Sequence, residues 1–530
     1  MDAPLFVGLD IGSSSVRAGI FTADGQRLAF AERAIEQFHP RQGFVEQSSE
    51  NIWSGCAQAI RAALTSSAIN PERIAALGID ATCSLVAVGT DHGGISIADD
   101  GNPERDIIMW MDHRAGTQAE RINATKDPAL AFVGGQVSIE MQLPKVLWLK
   151  EHHPERYAAT WRFFDLADYL VWRCTDNDVA SVCTLTCKWN YLAHEHRFST
   201  SLLASADLLD LRDKLPNEIQ PLGSAAGVLT STAAETLGLR AGIAVATGII
   251  DAHAGGLALI GSAADESLAI ISGTSNCLMS VTPSPVMTPG VWGPYFGAML
   301  PGYWLNEGGQ SASGALLDWT LRQSDAWPKL DAEARAQACN VYAVVNDWVT
   351  ALEQRERWPA RALHVLPDHH GNRSPRADPN ALGMIVGLTL ESGPDALARR
   401  YLATLEALAY GTRHIIETLR AHGVPLARIV ICGGGSKNPY WLQTHADATD
   451  CTIELVSDDD AVTLGAALLA AVASGHFATL PAAAAAMVHP GRRIKPRPET
   501  RDYHDTKYAV YLQLYDDMKR HTSALNHWAD

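Results

Sequence analysis

Apolar and polar positions follow the same order at two places in this chain. Near its start the sequence reads Phe6-Val7-Gly8-Leu9-Asp10-Ile11-Gly12-Ser13-Ser14-Ser15-Val16-Arg17. Past the midpoint it reads Leu268-Ala269-Ile270-Ile271-Ser272-Gly273-Thr274-Ser275-Asn276-Cys277. In both, an apolar run meets glycine and small hydroxyl residues and a second apolar run follows. The pattern predicts a β-hairpin whose turn offers backbone N–H groups and hydroxyls to an anion. A single such turn says little. Two of them, one opening each half of the chain, predict a nucleotide gripped between two related domains.

The remaining patterning fills in α/β elements. Residues 51–64 carry Ile52, Trp53, Cys56 and Ile60 at helical spacing, with Ser49 as the N-cap. Residues 74–80 form an apolar run that ends in the polar group Asp80 to Ser84. A helix begins at Val146 behind Pro144 and Lys145. Residues 161–168 and 181–189 mix apolar and polar positions, as elements lining a site do. The second half restarts at about Ser267. Residues 402–419 predict a long amphipathic helix, and residues 428–432 a β-branched strand running into Gly433-Gly434-Gly435-Ser436. Residues 462–473 predict a helix whose Gly465, Ala466 and Ala467 permit close backbone approach. The alanine run 482–486 reads as a helix, and residues 503–527 as an exposed C-terminal one.

Length and composition narrow the class. A chain of 530 residues exceeds one ordinary core, which favours two or more domains. Hydrophobic content of 47% against 19% charged residues describes a soluble globular protein. The net charge of −17 disfavours non-specific nucleic-acid binding, which needs a basic footprint. It does not disfavour a phosphate ligand, which a nest of N–H groups and Mg2+ can hold. Nine cysteines are scattered, and Cys183 and Cys187 lack a second pair at zinc spacing, so reduced thiols in a cytoplasmic enzyme are expected. The N-terminus enters a strand at once, without the layout of a signal peptide. The most apolar stretch, residues 464–473, falls far short of the roughly 20 residues that span a membrane, so no membrane association is expected.

Several positions carry candidate chemistry. Asp10 ends an apolar strand just before Gly12, where a carboxylate either caps the turn or meets Mg2+ beside a phosphate. Asp251, in Gly248-Ile249-Ile250-Asp251-Ala252-His253, follows a strand and precedes a small-residue helix. It can be a helix N-cap or a general base that takes the proton of an attacking hydroxyl. His253 reads as structural. Lys188 stands between apolar neighbours and Glu307 beside glycines; each can serve an internal salt bridge or the hydroxyls of a sugar. Gly433-Gly434-Gly435-Ser436-Lys437-Asn438 is neither a Walker A loop nor a dinucleotide fingerprint, and fits a turn on which adenine lies flat.

These segments together resemble the FGGY family of carbohydrate kinases, and within it the D-ribulose (pentulose) kinase branch. The resemblance runs over nearly the whole chain. It rests on the Asp10 and Gly273 turns, Asp80-Ala81-Thr82-Cys83-Ser84, Met109-Trp110-Met111-Asp112, Pro144-Lys145, Ile250-Asp251-Ala252-His253, Trp292-Gly293-Pro294-Tyr295, Asn306-Glu307-Gly308-Gly309, His370-Gly371-Asn372-Arg373 and Cys432-Gly433-Gly434. One position departs: many members carry Ser, Thr or Pro three residues before Lys145, and here it is Gln142.

The resemblance implies a duplicated actin-like, ribonuclease-H-like α/β fold closing on a cleft. Residues 1–266 would form the sugar-binding domain with the first phosphate loop, and residues 267–530 the domain with the second loop and the adenosine segment. It implies Asp251 as catalytic base and Asp10 near Mg2+. Gly12, Ser13, Ser14 and Arg17 would serve the first phosphate loop, and Gly273, Thr274 and Ser275 the second. Gly433, Gly434 and Asn438 would contact adenosine, and Thr82, Cys83, Lys188, Asp251 and Glu307 the sugar. The implied reaction is ATP-dependent phosphorylation of D-ribulose to D-ribulose 5-phosphate, with L-ribulose, ribitol or another pentitol as alternative acceptors. Dimers are common in the family. A sugar sensor, a filament protein or a chaperone-type ATPase would not need a base together with two phosphate turns and sugar-lining Lys188 and Glu307.

Overall fold

The computed structural model describes residues 3–458 and 460–525. They fall into two compact units. One is drawn from Met1–Ala264, Val281–Asn306 and Asp458–His489, the other from Asp265–Ser280, Glu307–Ser457 and Pro490–Asp530.

In the first unit the opening apolar run becomes the strand Leu5–Ile11, buried along its whole length. A strand covered on both faces reads as unbroken apolar sequence, as this one does. The Gly12 amide donates to the Ser15 carbonyl at 3.0 Å, and the strand Ser15–Thr22 returns antiparallel with Arg17 opposite Asp10. On the other side the strand Ile74–Ala81 runs parallel, with Asp80 opposite Asp10. Parallel neighbours need a crossover, and the helix Ser49–Ser66 provides it, burying Ile52, Cys56, Ala59, Ile60 and Ala63. Its N-cap lies one residue before the predicted Ser49. Ser48 accepts from the Asn51 amide, while Ser49 turns inward and donates its amide and hydroxyl to Asp106. The sheet order is Ala225–Val228, Ala244–Ala246, Ile74–Ala81, Leu5–Ile11, Ser15–Thr22, Arg27–Ala34, with Ile249–Ile250 pairing beside Asp80 and Ala81.

A helix distant in sequence, Ala461–Ala473, packs against the two central strands and against the helix Asp251–Ile260. Glycine makes that approach feasible. A Cβ on Gly8 would stand 1.9 Å from the Thr463 carbonyl oxygen, one on Gly78 1.9 Å from that of Ala466, and one on Gly465 2.0 Å from that of Ala254. The predicted small-residue helix is therefore part of the first unit.

The second unit repeats the plan. Ser267–Ser272 and Asn276–Thr282 form the antiparallel hairpin, with Ser272 opposite Asn276. Arg428–Gly433 runs parallel beside the first of these, Thr452–Val456 parallel beside it, and Pro490–Ile494 antiparallel at the edge. The crossover is the helix Gly393–Ala421, longer at both ends than the predicted 402–419. The alanine run lies in the helix Leu480–Met487. The C-terminal helix Arg501–Leu525 corrects an expectation: it is not simply exposed. It buries Tyr508, Tyr511, Leu514 and Met518 against Tyr410 and Leu366, and Lys507 reaches Glu406 at 2.5 Å. Residues 526 and 527 of the prediction lie outside the described residues. Among the described residues no helix is long and apolar enough to cross a membrane.

Candidate functional site

In the first unit three adjacent strand ends converge. Asp10 is the penultimate residue of Leu5–Ile11, and Asp80 sits at the same level of the parallel strand next to it. Beyond Asp80, Ile249–Ile250 delivers the chain into the helix that begins with Asp251. Both Asp10 and Asp80 are fully buried. Arg17, opposite Asp10 on the hairpin, brings its guanidinium to 2.9 Å from Asp10 Oδ2. Asp460, at the N-cap of the Ala461–Ala473 helix, adds a further negative charge that acts on both Asp10 and Arg17.

The cluster is electrostatically costly. Burial raises the Asp10 carboxyl to about 7; Arg17 pulls it down, while Asp460 and Asp251 push it up again. Burial and the neighbouring Asp10 raise Asp80 well above the ordinary range. Burial raises Asp251 as well, opposed by the Ala252 amide, which donates to Asp251 Oδ1 at 2.7 Å. Asp251 is the first helical residue, and the N-cap position falls to Ile250. Among the described residues, none donates a well-directed hydrogen bond to a carboxylate oxygen of Asp10 or Asp80. Crowded, buried oxygen donors of like charge fit a hard divalent cation such as Mg2+.

The turn after Asp10 is fixed from outside. The Ser13 carbonyl accepts from Gln37 Nε2 at 2.6 Å and from Gln47 Nε2 at 3.2 Å, and its hydroxyl accepts from Trp110 Nε1 at 3.0 Å. The Ser14 carbonyl accepts from the Ile35 amide. Gly12 needs no Cβ: one would come within 3.1 Å of the Arg17 guanidinium.

A second group of residues lies just past Asp80, at the same end of the Ile74–Ala81 strand. The Thr82 amide donates to the Ile11 carbonyl, and its hydroxyl lies 3.3 Å from that of Ser84. Cys83 is buried and its thiol is pushed up to about 12 by burial, against the pull of Lys188. Lys188 ends the helix Val182–Lys188, is 4% exposed, and holds its ammonium 5.0 Å from the ring centre of Trp292. Its charge is also felt at Asp165 and Asp251. Gln142, the departure from the family pattern, donates to the Cys83 carbonyl at 3.1 Å and to Asp165 at 2.9 Å. It therefore ties the Gln142–His152 helix to this strand end. Lys145, fully buried in that helix, donates to the carbonyls of Met109, Trp110 and Glu140.

The second unit carries the other turn. The Gly273 amide donates to the Ser275 carbonyl at 2.8 Å, and the amides of Ser313 and Ala315 donate to the Thr274 carbonyl. Gly433 lies opposite Ser272 with φ at +87°, and a Cβ there would stand 2.3 Å from the Ser272 carbonyl oxygen. Only glycine suits that position. Gly434 opens a short 3-10 turn. Asn438 caps the helix Pro439–Thr449 through Oδ1 and donates Nδ2 to the Tyr401 hydroxyl at 2.7 Å, so its side chain holds the turn in place. Glu307 belongs to this unit, buried in the strand Trp304–Gln310.

Asp80, Trp110 and Trp292 stand in segments that carry the family resemblance, but the sequence assigns them no role in the site, and it does not single out Asp460 at all. Asp80 carried a usable signal, an acidic residue ending an apolar strand as Asp10 does. Asp460 carried none, because it joins the site through the tertiary placement of a remote helix. The cysteine pair is reduced, as expected, and has a neighbour that its spacing did not show. Cys183 and Cys187 do have a third potential metal donor in His253, whose Nδ1 lies 3.2 Å from the first sulfur and 3.9 Å from the second. Burial would raise the Cys183 thiol; its hydrogen bond with Cys187 and the proximity of His253 outweigh that and lower it to about 5.

Comparison with known proteins places the chain in a family. Residues 5–258 match the N-terminal domain of the FGGY family of carbohydrate kinases, and residues 268–474 match its C-terminal domain. A human FGGY carbohydrate kinase domain-containing protein is 42% identical, over 98% of each chain. A D-ribulokinase of Saccharomyces cerevisiae is 33% identical over 90% of this chain and 73% of its own. Among solved structures, the xylulose kinase of Rhodospirillum rubrum superposes with a TM-score of 0.81 at 22% identity, covering 97% of this chain and 99% of its own. The chain belongs to the FGGY family of carbohydrate kinases, with that family's two-domain actin-like fold, and is an ATP-dependent sugar phosphotransferase.

Proposed function

We propose that this FGGY carbohydrate kinase transfers the γ-phosphoryl group of ATP to the terminal primary hydroxyl of free D-ribulose, giving D-ribulose 5-phosphate and ADP. The observation that carries the mechanism is Asp251: a half-buried carboxylate at a helix start, with a raised proton affinity, beside the strand ends that bear Asp10 and Asp80. A carboxylate of raised pKa is a better proton acceptor than an ordinary one. Asp251 takes the proton of the sugar hydroxyl as its oxygen attacks phosphorus, and the bond from phosphorus to the bridging oxygen of ADP breaks. Lys188 supplies a fixed cation and hydrogen-bond donor for the sugar, with Thr82, Cys83 and Glu307 as further sugar-contacting positions. Gly12, Ser13, Ser14 and Arg17 in one unit, and Gly273, Thr274 and Ser275 in the other, serve the phosphates; Gly433, Gly434 and Asn438 serve adenosine. Asp10 would hold Mg2+, directly or through water, and the bound ion supplies charge neutralisation at the phosphates.

The choice of pentulose rests on the sugar-side residues and on the likeness to the yeast D-ribulokinase. It is tested by ADP release with Mg-ATP against D-ribulose, L-ribulose, D-xylulose, ribitol, D-arabitol and glycerol. We expect D-ribulose to lead by about a hundredfold in kcat/KM, about 2.7 kcal/mol of discrimination. A lead for L-ribulose or ribitol would replace the substrate and keep the mechanism. Asp251→Asn should lower kcat by about 10² to 10⁴ with sugar and ATP binding retained; near-normal turnover would remove Asp251 from the role of base. Lys188→Met should weaken sugar binding far more than ATP binding, and an unchanged sugar affinity would leave it a structural cation.

A further inference from the structure

Cys183 and Cys187 are one turn apart on the helix Val182–Lys188, and His253 is in the first turn of Asp251–Ile260. All three are completely buried. The sulfurs lie 3.2 and 3.9 Å from the same ring nitrogen, His253 Nδ1, and one donor atom from each residue lies within 4.8 Å of the others. We propose that Cys183, Cys187 and His253 form a binding site for Zn2+, separate from the Mg2+ that serves the phosphates.

Three arguments support the assignment. The first is geometric. In a tetrahedral zinc site, bonds of about 2.3 Å to sulfur and 2.0–2.1 Å to nitrogen place sulfur and nitrogen about 3.5 Å apart. The two observed separations bracket that distance, so both sulfurs already stand at zinc-bridging range from the ring nitrogen. The second is donor type. Two thiolates and an imidazole suit Zn2+ and exclude Mg2+ or Ca2+, which take oxygen ligands. The third is charge. Two thiolates and a neutral imidazole make a neutral unit with Zn2+, which an enclosed site tolerates, whereas Cu+ would leave a buried negative charge. The other buried neighbouring thiols, Cys56 and Cys174, carry no comparable histidine and form no such group among the described residues.

The site would have a structural consequence for the kinase. One ligand helix ends in Lys188 and the other begins with Asp251. A bound ion would staple the two helices and so fix the spacing of those side chains. Three donors occupy three corners of the tetrahedron and leave the fourth to a small ligand such as water or a thiol.

The test uses the full chain. Elemental analysis of protein purified without chelators should find about one zinc per chain that survives dialysis. Exchange into Co2+ should produce the intense near-ultraviolet thiolate-to-cobalt absorption and visible bands of a tetrahedral ion. Cys183→Ser, Cys187→Ser and His253→Asn should each weaken Co2+ binding by tenfold or more, while Cys174→Ser leaves it unchanged. If a ligand variant fails to fold, the wild-type cobalt spectrum decides alone. Absence of both zinc and the cobalt–thiolate band in the wild type would overturn the proposal. So would mass-spectrometric detection of a Cys183–Cys187 disulfide as the resting form.

Discussion

Replacing Gly8 by alanine should drive the Ala461–Ala473 helix off the central sheet and disturb the carboxylate cluster above it. The new Cβ would stand 1.9 Å from the Thr463 carbonyl oxygen, 2.9 Å from its carbon and 3.1 Å from the Ala467 nitrogen. All three atoms are backbone, so no rotamer change relieves the clash. Restoring ordinary contact requires the helix to withdraw by about 1.5 Å at that point, and a gap of 0.5–1 Å already forfeits roughly a quarter to a half of a dispersion contact. Leu464, Leu468 and Leu469 on that helix are fully or nearly fully buried, so the loss spreads beyond one methyl. Overpacking of this kind costs about 1–3 kcal/mol, and rigid backbone on both sides places Gly8→Ala near the upper end. Turnover should fall too. The helix opens after Asp460, whose charge acts on Asp10 and Arg17, and its Gly465 touches the Asp251 helix at Ala254. The assay is urea unfolding alongside sugar-dependent ADP release, with Gly116→Ala as control. A Cβ on Gly116 meets only Ile139, at an unstrained 3.6 Å, so that variant should match or slightly exceed the wild type in stability. If Gly8→Ala unfolds at the wild-type urea concentration and turns over normally, the glycine contact does not position the site.

Two further outcomes follow from buried charges. Burial, opposed by the Gln142 hydrogen bond and by Lys188, raises Asp165 from 3.8 to about 7. The folded chain then keeps a proton that the unfolded chain has lost, and this stabilisation is complete below 3.8 and gone once the pH passes about 7. Asp165→Asn should make the decline in unfolding free energy from pH 4 to pH 8 shallower by about 4 kcal/mol, and parallel pH profiles would refute the shift. In the second unit Lys507 donates to the Ala360 and Leu363 carbonyls and to Glu406. Lys507→Met should cost about 3–5 kcal/mol in urea unfolding by stranding Glu406, and adding Glu406→Gln should restore part of it; a double variant no better than the single one would show that the pair is not coupled.

What could be read from the chain follows from how local each signal is. The two hairpins were legible because a strand buried on both faces and a glycine–hydroxyl turn are both written in consecutive residues. Asp10 and Asp251 stood out for the same reason, as charges closing apolar runs. The N-cap at Ser48 was missed because two adjacent serines are equivalent until Asp106 claims the second. The buried face of the C-terminal helix was missed although Tyr508, Tyr511, Leu514 and Met518 recur at helical spacing, because the charged positions around them read as a solvated helix; its packing on Tyr410 picks out the buried face. Asp460 and the His253 partner of the cysteine pair were invisible for a common reason. His253 meets the two cysteines across 66 and 70 residues, and Asp460 meets its partners across several hundred, and no spacing rule reaches so far.

The register of the central strands explains why the costly cluster exists at all. Nothing in the packing of a parallel pair requires Asp80 to lie opposite Asp10, and two buried carboxylates side by side oppose folding through desolvation and repulsion. A serine or alanine at either position would pack at less expense. One guanidinium, partly exposed, faces them from the hairpin and Lys188 acts on Asp251, and these two cations do not cancel Asp10, Asp80, Asp251 and Asp460 when all four are ionised. Protons held at the raised carboxyls, or positive charge arriving from outside the chain, relieve that repulsion. Under the proposed function the metal–nucleotide would bring that charge, and the instability of the empty cluster and the affinity for a metal–phosphate ligand would then be one property. Neutralising Asp80 as Asp80→Asn should accordingly raise the unfolding midpoint of the ligand-free protein at pH 8 while weakening Mg-ATP binding. A variant that gained stability and bound Mg-ATP as the wild type does would separate the two and show that Asp80 is not part of the cation's environment.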